Sequence, residues 1–336
     1  MKNLLYIGNK LEGENKTVST IDTLSRYFKG EGFYVKTASS KSNKIIRLAD
    51  MLWHIIINRK TTDYVLIDTY STLNFYYAYV CGRLCKLLNL RYVPILHGGD
   101  LPKRLRKSPK LSKKLFRNAF INVAPSKYLF TKFKEEGVHN LVFIPNTIEI
   151  NNYIYQERSI KDIRLLWVRS FSKIYNPGLA IEIVSDLKNE GYEAELCMVG
   201  PDKDGSLIET KALADKLNVK VTFTGKLEKQ EWIELSNDYN IFINTTNVDN
   251  TPVSVIEAMA LGLPVISTNV GGIPYLINNK VDGVLVEPNN VEAFVLAIKK
   301  LIEDKDMTIK ITKNAKNKVE NFDWNIVKKE WLKVLS

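Results

Sequence analysis

Along this chain short apolar runs rich in β-branched residues alternate with longer segments whose apolar residues recur every three or four positions. The first pattern predicts strands buried on both faces, and the second predicts helices that cover them. In residues 1–150 the runs NLLYIGN, FYVKTAS, DYVLIDTY, RYVPILHGG, FINVAPS and LVFIPNT read as strands, with helical patterns such as TVSTIDTLSRYFKGEG between them. Further on, IRLLWVRS, EAELCMVGP, KVTFTGKL, NIFINTT, PVISTN and GVLVEP repeat the scheme, separated by helices such as NPGLAIEIVSDLKNEG and NVEAFVLAIKKLIED. Regular alternation of strand and helix predicts an α/β protein with two doubly wound parallel sheets and a ligand cleft at the carboxyl ends of their strands. A polar, weakly periodic stretch, EINNYIYQERSIKD, reads as the linker. The predicted domains are 1–155, 156–318, and a C-terminal helix, 319–336, that closes back on the first domain.

Composition narrows this picture. With 336 residues and 45% hydrophobic content the chain can bury a large core. No apolar run approaches the ~20 residues of a membrane helix, and MKNLLYIGNK reads as a strand and turn instead of a signal peptide, which predicts a cytosolic protein. Three cysteines are too few for a disulfide framework, and no Cys/His group has zinc-ligand spacing. Cys81 and Cys85, one helical turn apart, read as core thiols.

Charge changes the picture more. The formal net charge is +11, yet residues 1–150 carry 25 Lys+Arg against 11 Asp+Glu while residues 151–336 carry 23 against 26. Much of the excess lies in PKRLRKSPKLSKKLFRNAF, where Lys103, Arg104, Arg106 and Lys107 begin a run of cations without one acid. Such a run is a solvated face, or a surface for phosphates or the anionic inner leaflet, to which Leu101, Leu105, Leu111 and Phe116 would add a shallow apolar contact. One aromatic residue and no recognisable binding module in PKRLRKSPKLSKKLFRN argue against nucleic acid.

Candidate chemistry gathers where strands end. Arg169, Gly200, Gly225, Asp249 and Glu257 follow strands of the second half, and Gly8, Asn9, His97 and Asn146 follow strands of the first. In DNTPVSVIEAMALGLPVISTNVGGIP, Thr251 is the expected N-cap, Pro252 the first helical residue, and Val253 to Leu261 the body of a helix ended by Gly262. Its uncapped N–H groups, around Asn250 and Thr251, point to an anion. Glu257 is the one acid in an apolar helix, so it needs donors: a pair of sugar hydroxyls, or a neighbouring Lys or Arg. Asp249 is an Asx-type cap or a holder of a sugar hydroxyl. Arg169 suits a diphosphate. In GGIP, Gly271 and Gly272 would let a phosphate approach a second helix start.

That stretch, followed by DGVLVEP and NNVEAFVLAIKKLIED, resembles the donor-binding domain of the retaining glycosyltransferases of family 4, whose fold is GT-B, two Rossmann-like domains facing a cleft. HGGD, VAPSKYL, FIPNT and the final FDW helix stand in the expected order, so the resemblance spans nearly the whole chain. It implies transfer of a sugar from a nucleotide-diphosphate sugar without metal or cofactor, to a lipid-linked or polysaccharide acceptor, by a protein cytoplasmic or peripheral on the membrane's inner face. Glu257 would hold ribose hydroxyls and Asp249 the transferred sugar, with Asn250, Thr251, Pro252 and Val253 alongside; Arg169 and Lys173 would clamp the diphosphate, and His97 would contact the sugar. Three positions depart from the family pattern. Asp249 stands where Glu is usual, RSFSKIYNPG replaces R-L-x-x-x-K-G so that Lys173 comes one position early, and Tyr275 replaces the acid after G-G-x-P. The rival readings are a nucleotide-sugar epimerase of the same fold and a non-catalytic nucleotide-sugar-binding relative.

Overall fold

A computed structural model describes residues 2–10 and 19–336. Thr17 and Val18, the predicted start of the first helix, lie outside them. The chain divides into two units, residues 1–145 with 328–336, and residues 146–327.

In the first unit the elements run β1 (Asn3–Ile7), α1 (Thr20–Gly30), β2 (Tyr34–Ala38), α2 (Lys44–Asn58), β3 (Tyr64–Thr69), α3 (Asn74–Leu87), β4 (Arg91–Leu96), α4 (Leu101–Lys107), α5 (Pro109–Phe116), β5 (Asn122–Ala124), α6 (Lys127–Glu135) and β6 (Leu141–Phe143). The strands pair in parallel in the order β2-β1-β3-β4-β5-β6. β3 is buried along its whole length, as its apolar run from Tyr64 to Ile67 requires, and the burial extends to Asp68 and Thr69 at its end.

The second unit holds β7 (Ile163–Val168), α7 (Pro177–Asn189), β8 (Ala194–Val199), α8 (Ser206–Lys216), β9 (Val221–Gly225), α9 (Lys229–Leu235), β10 (Ile241–Asn244), α10 (Val253–Ala260), β11 (Val265–Thr268), α11 (Ile273–Leu276), β12 (Val284–Val286), α12 (Val291–Glu303) and α13 (Lys305–Val319). Its strand order is β12-β11-β10-β7-β8-β9. Side chains alternate between two cores: Leu165 and Trp167 join α7 and α12 on one face, while Leu166 packs with α10 on the other.

The stretch predicted as a linker is part of this second unit. Its apolar residues anchor it, since Tyr153 is buried and Ile150 and Ile160 pack against the cores on the two faces of the sheet. The last helix, α14 (Trp324–Leu335), starts later than the predicted 319, and the chain passes back to the first unit at Lys328. There Trp331 meets Phe28 edge to face at 5.2 Å, Lys328 pairs with Glu31 at 2.9 Å, and the Tyr64 hydroxyl donates to the Ser336 carbonyl at 3.0 Å. Trp331→Ala should therefore lower the stability of the first unit by about 3–5 kcal/mol, because the cavity opens in a packed aromatic pair. A urea melt with no shift in midpoint would show that the tail contributes nothing to that core.

Candidate functional site

In the second sheet the strand order reverses between β7 and β10, and a doubly wound sheet offers its ligand crevice at the carboxyl ends of such a pair. Arg169 is the first residue after β7, and the segment 245–252 follows β10. The two meet. An Arg169 NH2 group contacts the Asp249 Oδ2 atom, and the guanidinium lies 4.1 Å from the centre of the Tyr175 ring. Its Nε is buried and has no hydrogen-bond partner among the described residues.

The remaining Asp249 oxygen accepts the Asn250 N–H at 2.9 Å, which removes that N–H from the anion site predicted for it. Helix α10 begins at Val253 with Pro252, not Thr251, as its cap, and no side chain caps it. Pro252 has ψ 124°, an extended backbone, so it stands outside the helix that follows it. Glu257 lies one turn in and is 4% exposed. Its Oε1 accepts the Tyr153 hydroxyl at 2.7 Å and contacts the ammonium of Lys229 at the start of α9. Of the two partners left open by the sequence, the cation is present.

The glycines permit a close approach of backbone to backbone. A Cβ on Gly271 would stand 2.2 Å from the Asp249 carbonyl oxygen, and one on Gly272 would stand 2.0 Å from that of Asn250. The Gly272 N–H donates to the Asp249 carbonyl at 3.0 Å. Chain approaches chain here, which fixes the backbone that carries Asp249. Likewise Gly200, at φ 147°, lies against the Arg169 carbonyl, with 1.9 Å to an added Cβ, and its N–H donates to Gly225 at 2.8 Å.

Lys173 does not join this group. It starts a 3-10 turn, Lys173–Tyr175, that sets Tyr175 on the guanidinium and leaves the lysine exposed, 3.1 Å from Glu209. Its N–H donates to Asp204, whose carboxyl the Ser206 and Ser172 hydroxyls and that N–H hold down to about 2. Tyr153, Tyr175 and Lys229 were not foreseen, since neither spacing nor pattern joins them to Arg169 or Glu257.

The first sheet reverses between β1 and β3. Gly8 and Asn9 follow β1, Asp68 lies near the end of β3, and His97 follows β4. Asp68 is buried; its Oδ1 accepts the Tyr6 hydroxyl at 2.8 Å and lies 2.7 Å from His97 Nε2, while Oδ2 is buried with no partner among the described residues. A Cβ on Gly8 would stand 2.4 Å from that Oδ2. Burial, then the neighbouring carboxylate, pushes the Tyr6 and Tyr70 phenols well above their ordinary range. Gly8 cannot offer its N–H to a phosphate, because Ala38 accepts it at 2.7 Å. The Asn9 side-chain oxygen accepts from Arg47 at 3.2 Å. Asp68 was missed although it carries the same signal as Glu257, one acid in an apolar run.

The basic run divides. Lys103, Arg106 and Lys107 are exposed, but Arg104 donates to the Ser71 carbonyl at 2.6 and 2.9 Å and stacks 5.5 Å from the Phe75 ring. Leu101, Leu105 and Phe116 are buried in the core, which overturns the apolar contact expected of them.

Residues 154–318 match the family model described as glycosyl transferases group 1. This match covers most of the second unit. Over 90 residues, 27% of this chain, the sequence is 34% identical to a UDP-Gal:alpha-D-GlcNAc-diphosphoundecaprenol alpha-1,3-galactosyltransferase of Escherichia coli. Over 266 residues, 75% of the chain, it is 24% identical to the amylovoran biosynthesis glycosyltransferase AmsK of Erwinia amylovora. The aligned parts span 23% and 65% of those two proteins, less than two thirds of either. The fold is similar to that of sucrose-phosphate synthase from Thermosynechococcus elongatus, with a TM-score of 0.82 at 15% identity over 99% of this chain and 98% of that one. The fold is GT-B. In the second unit Gly272→Ala, at an ordinary φ, isolates the effect of close backbone approach. It should cost roughly 1–3 kcal/mol and displace Asp249. A variant with parental melting temperature and an unshifted Asn250 amide resonance would mean that the loop yields freely.

Proposed function

We propose that the protein moves a sugar, with retention at the anomeric carbon, from a nucleotide-diphosphate sugar held by the second unit to a lipid-linked or polysaccharide acceptor taken by the first unit. The observation that carries this reading is the Arg169–Asp249 pair at the strand switch, where the buried Nε has no partner among the described residues, beside an uncapped helix start. Two relatives support the substrate class: the E. coli enzyme is named for a UDP-galactose donor and a diphosphoundecaprenol-linked acceptor, and AmsK for amylovoran biosynthesis.

In this mechanism the bond from the anomeric carbon to the diphosphate oxygen breaks as negative charge grows on the diphosphate and positive charge on the sugar. Fixed donors aimed at that oxygen lower the barrier without having to reorganise. Arg169 supplies a guanidinium already oriented by Asp249 and Tyr175, and the first N–H groups of α10 add the positive end of its dipole. Asp249, whose charge Arg169 offsets, accepts a hydroxyl of the transferred sugar. Glu257 accepts ribose hydroxyls, with Lys229 and Tyr153 holding its charge in place until they bind. The acceptor hydroxyl forms the new bond on the face the diphosphate leaves, and a leaving phosphate oxygen takes its proton. No metal is assigned a role.

Glu257→Gln should weaken binding of the cognate nucleotide sugar by about 10- to 100-fold, roughly 1.5–3 kcal/mol, as a neutral amide replaces a charged acceptor. Isothermal titration across a panel of nucleotide sugars measures it, and unchanged affinity removes Glu257 from the donor site. Arg169→Ala should lower turnover more than donor affinity, because the guanidinium meets charge that develops late. Asp249→Glu should remain active, whereas Asp249→Ala should nearly abolish transfer. Donor binding without turnover on lipid-linked or polysaccharide acceptors would make the protein a non-catalytic relative, and conversion of donor without acceptor would make it an epimerase.

A further inference from the structure

Helix α2 is apolar on both sides. Its inner face buries Arg47, Met51, Ile55 and Asn58. On the outside Ile45, Ile46, Trp53, Ile56 and Ile57 are between 38% and 81% exposed. At about 100° per residue these five fall within an arc of roughly 120°, opposite the buried set. A surface helix ordinarily turns charge outward, and a contiguous apolar patch marks an interaction surface. The only acid in α2 is Asp50, half-buried beside the arc.

The neighbouring helices extend the patch and give it a sign. α3 packs against α2, with the Tyr77 hydroxyl donating to the Lys44 carbonyl at 3.1 Å; it exposes Tyr76 and Leu87, and Leu73 just before it is exposed too. Arg104 ties α4 to α3 through its stacking on Phe75 and Tyr76. Successive crossovers from β2 to β3, β3 to β4 and β4 to β5 run in one direction across the sheet, so right-handed connection sets α2 to α5 on one face of it. Exposed cations surround the apolar arc: Lys41 and Lys44 at one end of α2, Arg59 and Lys60 at the other. α4 and α5 add Lys103, Arg106, Lys107, Lys110, Lys113 and Lys114, all exposed, and neither α3, α4 nor α5 contains an acid.

A second copy of the chain is a poor occupant of this face. A two-fold contact sets the same surface against itself and would bring cationic helices together. A lipid surface takes aliphatic side chains and tryptophan into its interfacial layer, and anionic headgroups attract the surrounding lysines. We propose that the outer face of α2 docks the protein on an anionic membrane surface, with Trp53 and the isoleucines entering the interface and α4 and α5 lying on the headgroups. Arg47 ties the start of α2 to Asn9 at the carboxyl edge of the sheet, so docking by α2 holds that edge near the lipid. Use of that edge for a lipid-linked acceptor rests on the transfer reading; the docking itself does not.

Trp53 is its own reporter, because Trp167, Trp232, Trp324 and Trp331 are buried. The full chain should float with vesicles of phosphatidylcholine mixed with phosphatidylglycerol, its emission should shift to the blue, and brominated lipid should quench it. Ile46→Ser, Trp53→Ser and Ile57→Ser together should weaken partitioning about tenfold or more with the far-UV dichroism unchanged. Lys103→Gln, Arg106→Gln and Lys107→Gln together should weaken it chiefly at low salt. Glu257→Gln, which tests the donor site, should float like the parent, so the two readings fail separately. No flotation with the anionic vesicles, flotation unaffected by the triple serine variant, or emission of Trp53 that brominated lipid leaves unquenched would overturn the proposal. So would a dimer in sedimentation that the serine variant dissolves, which would make α2 a protein–protein face.

Discussion

In the second unit a half-buried guanidinium and a half-buried carboxylate stand at the carboxyl edge where the strand order reverses, and each needs the other. Removing either partner strands a charge away from water, which costs more than the pair contributes. The surrounding geometry follows from holding them together. Gly200 lets one loop lie on the Arg169 carbonyl, Gly271 and Gly272 let another lie on Asp249 and Asn250, and Tyr175 closes over the guanidinium. A Cβ at any of these three glycines would have to push the backbone that carries the pair.

The first unit repeats this constraint in another form. Its strand order also reverses, and at the reversal Asp68 is buried with one oxygen shared between Tyr6 and His97 and the other without a partner among the described residues. An ionised carboxylate in such a place needs every donor it can find. His97 is thus held by the fold whether or not it also meets a sugar. Both units put an acid near the carboxyl edge of the sheet, the side on which a doubly wound fold binds its ligand.

The strands of both sheets are legible in the sequence, because a strand covered on both faces is an uninterrupted apolar run and its neighbours are helices of ordinary length. The strand ends are legible too, and with them Arg169, Asp249 and Glu257. What binds to what is less so. Lys229 lies 28 residues from Glu257 and Tyr153 lies 104, so their meeting depends on tertiary packing that no local pattern encodes. Lys173 fails for a local reason, since one turn of 3-10 helix exchanges it for Tyr175. The leucines of the basic segment fail because helical periodicity names a buried face without saying which side of the chain will be water.

The uneven charge of the two halves fits two kinds of recognition. Residues 151–336 carry 23 cations against 26 acids, so in the proposed reading an anion meets there a local fork and a helix start, over a few ångströms and partly out of water, where salt screens little. The excess in residues 1–150 acts from exposed side chains over a Debye length of roughly 8 Å, which suits an extended surface better than one phosphate. An attraction of that range gathers the protein to an anionic plane but cannot orient it. Orientation needs short-range contacts on one face, and on the first unit the outward isoleucines and tryptophan of α2 lie among those cations.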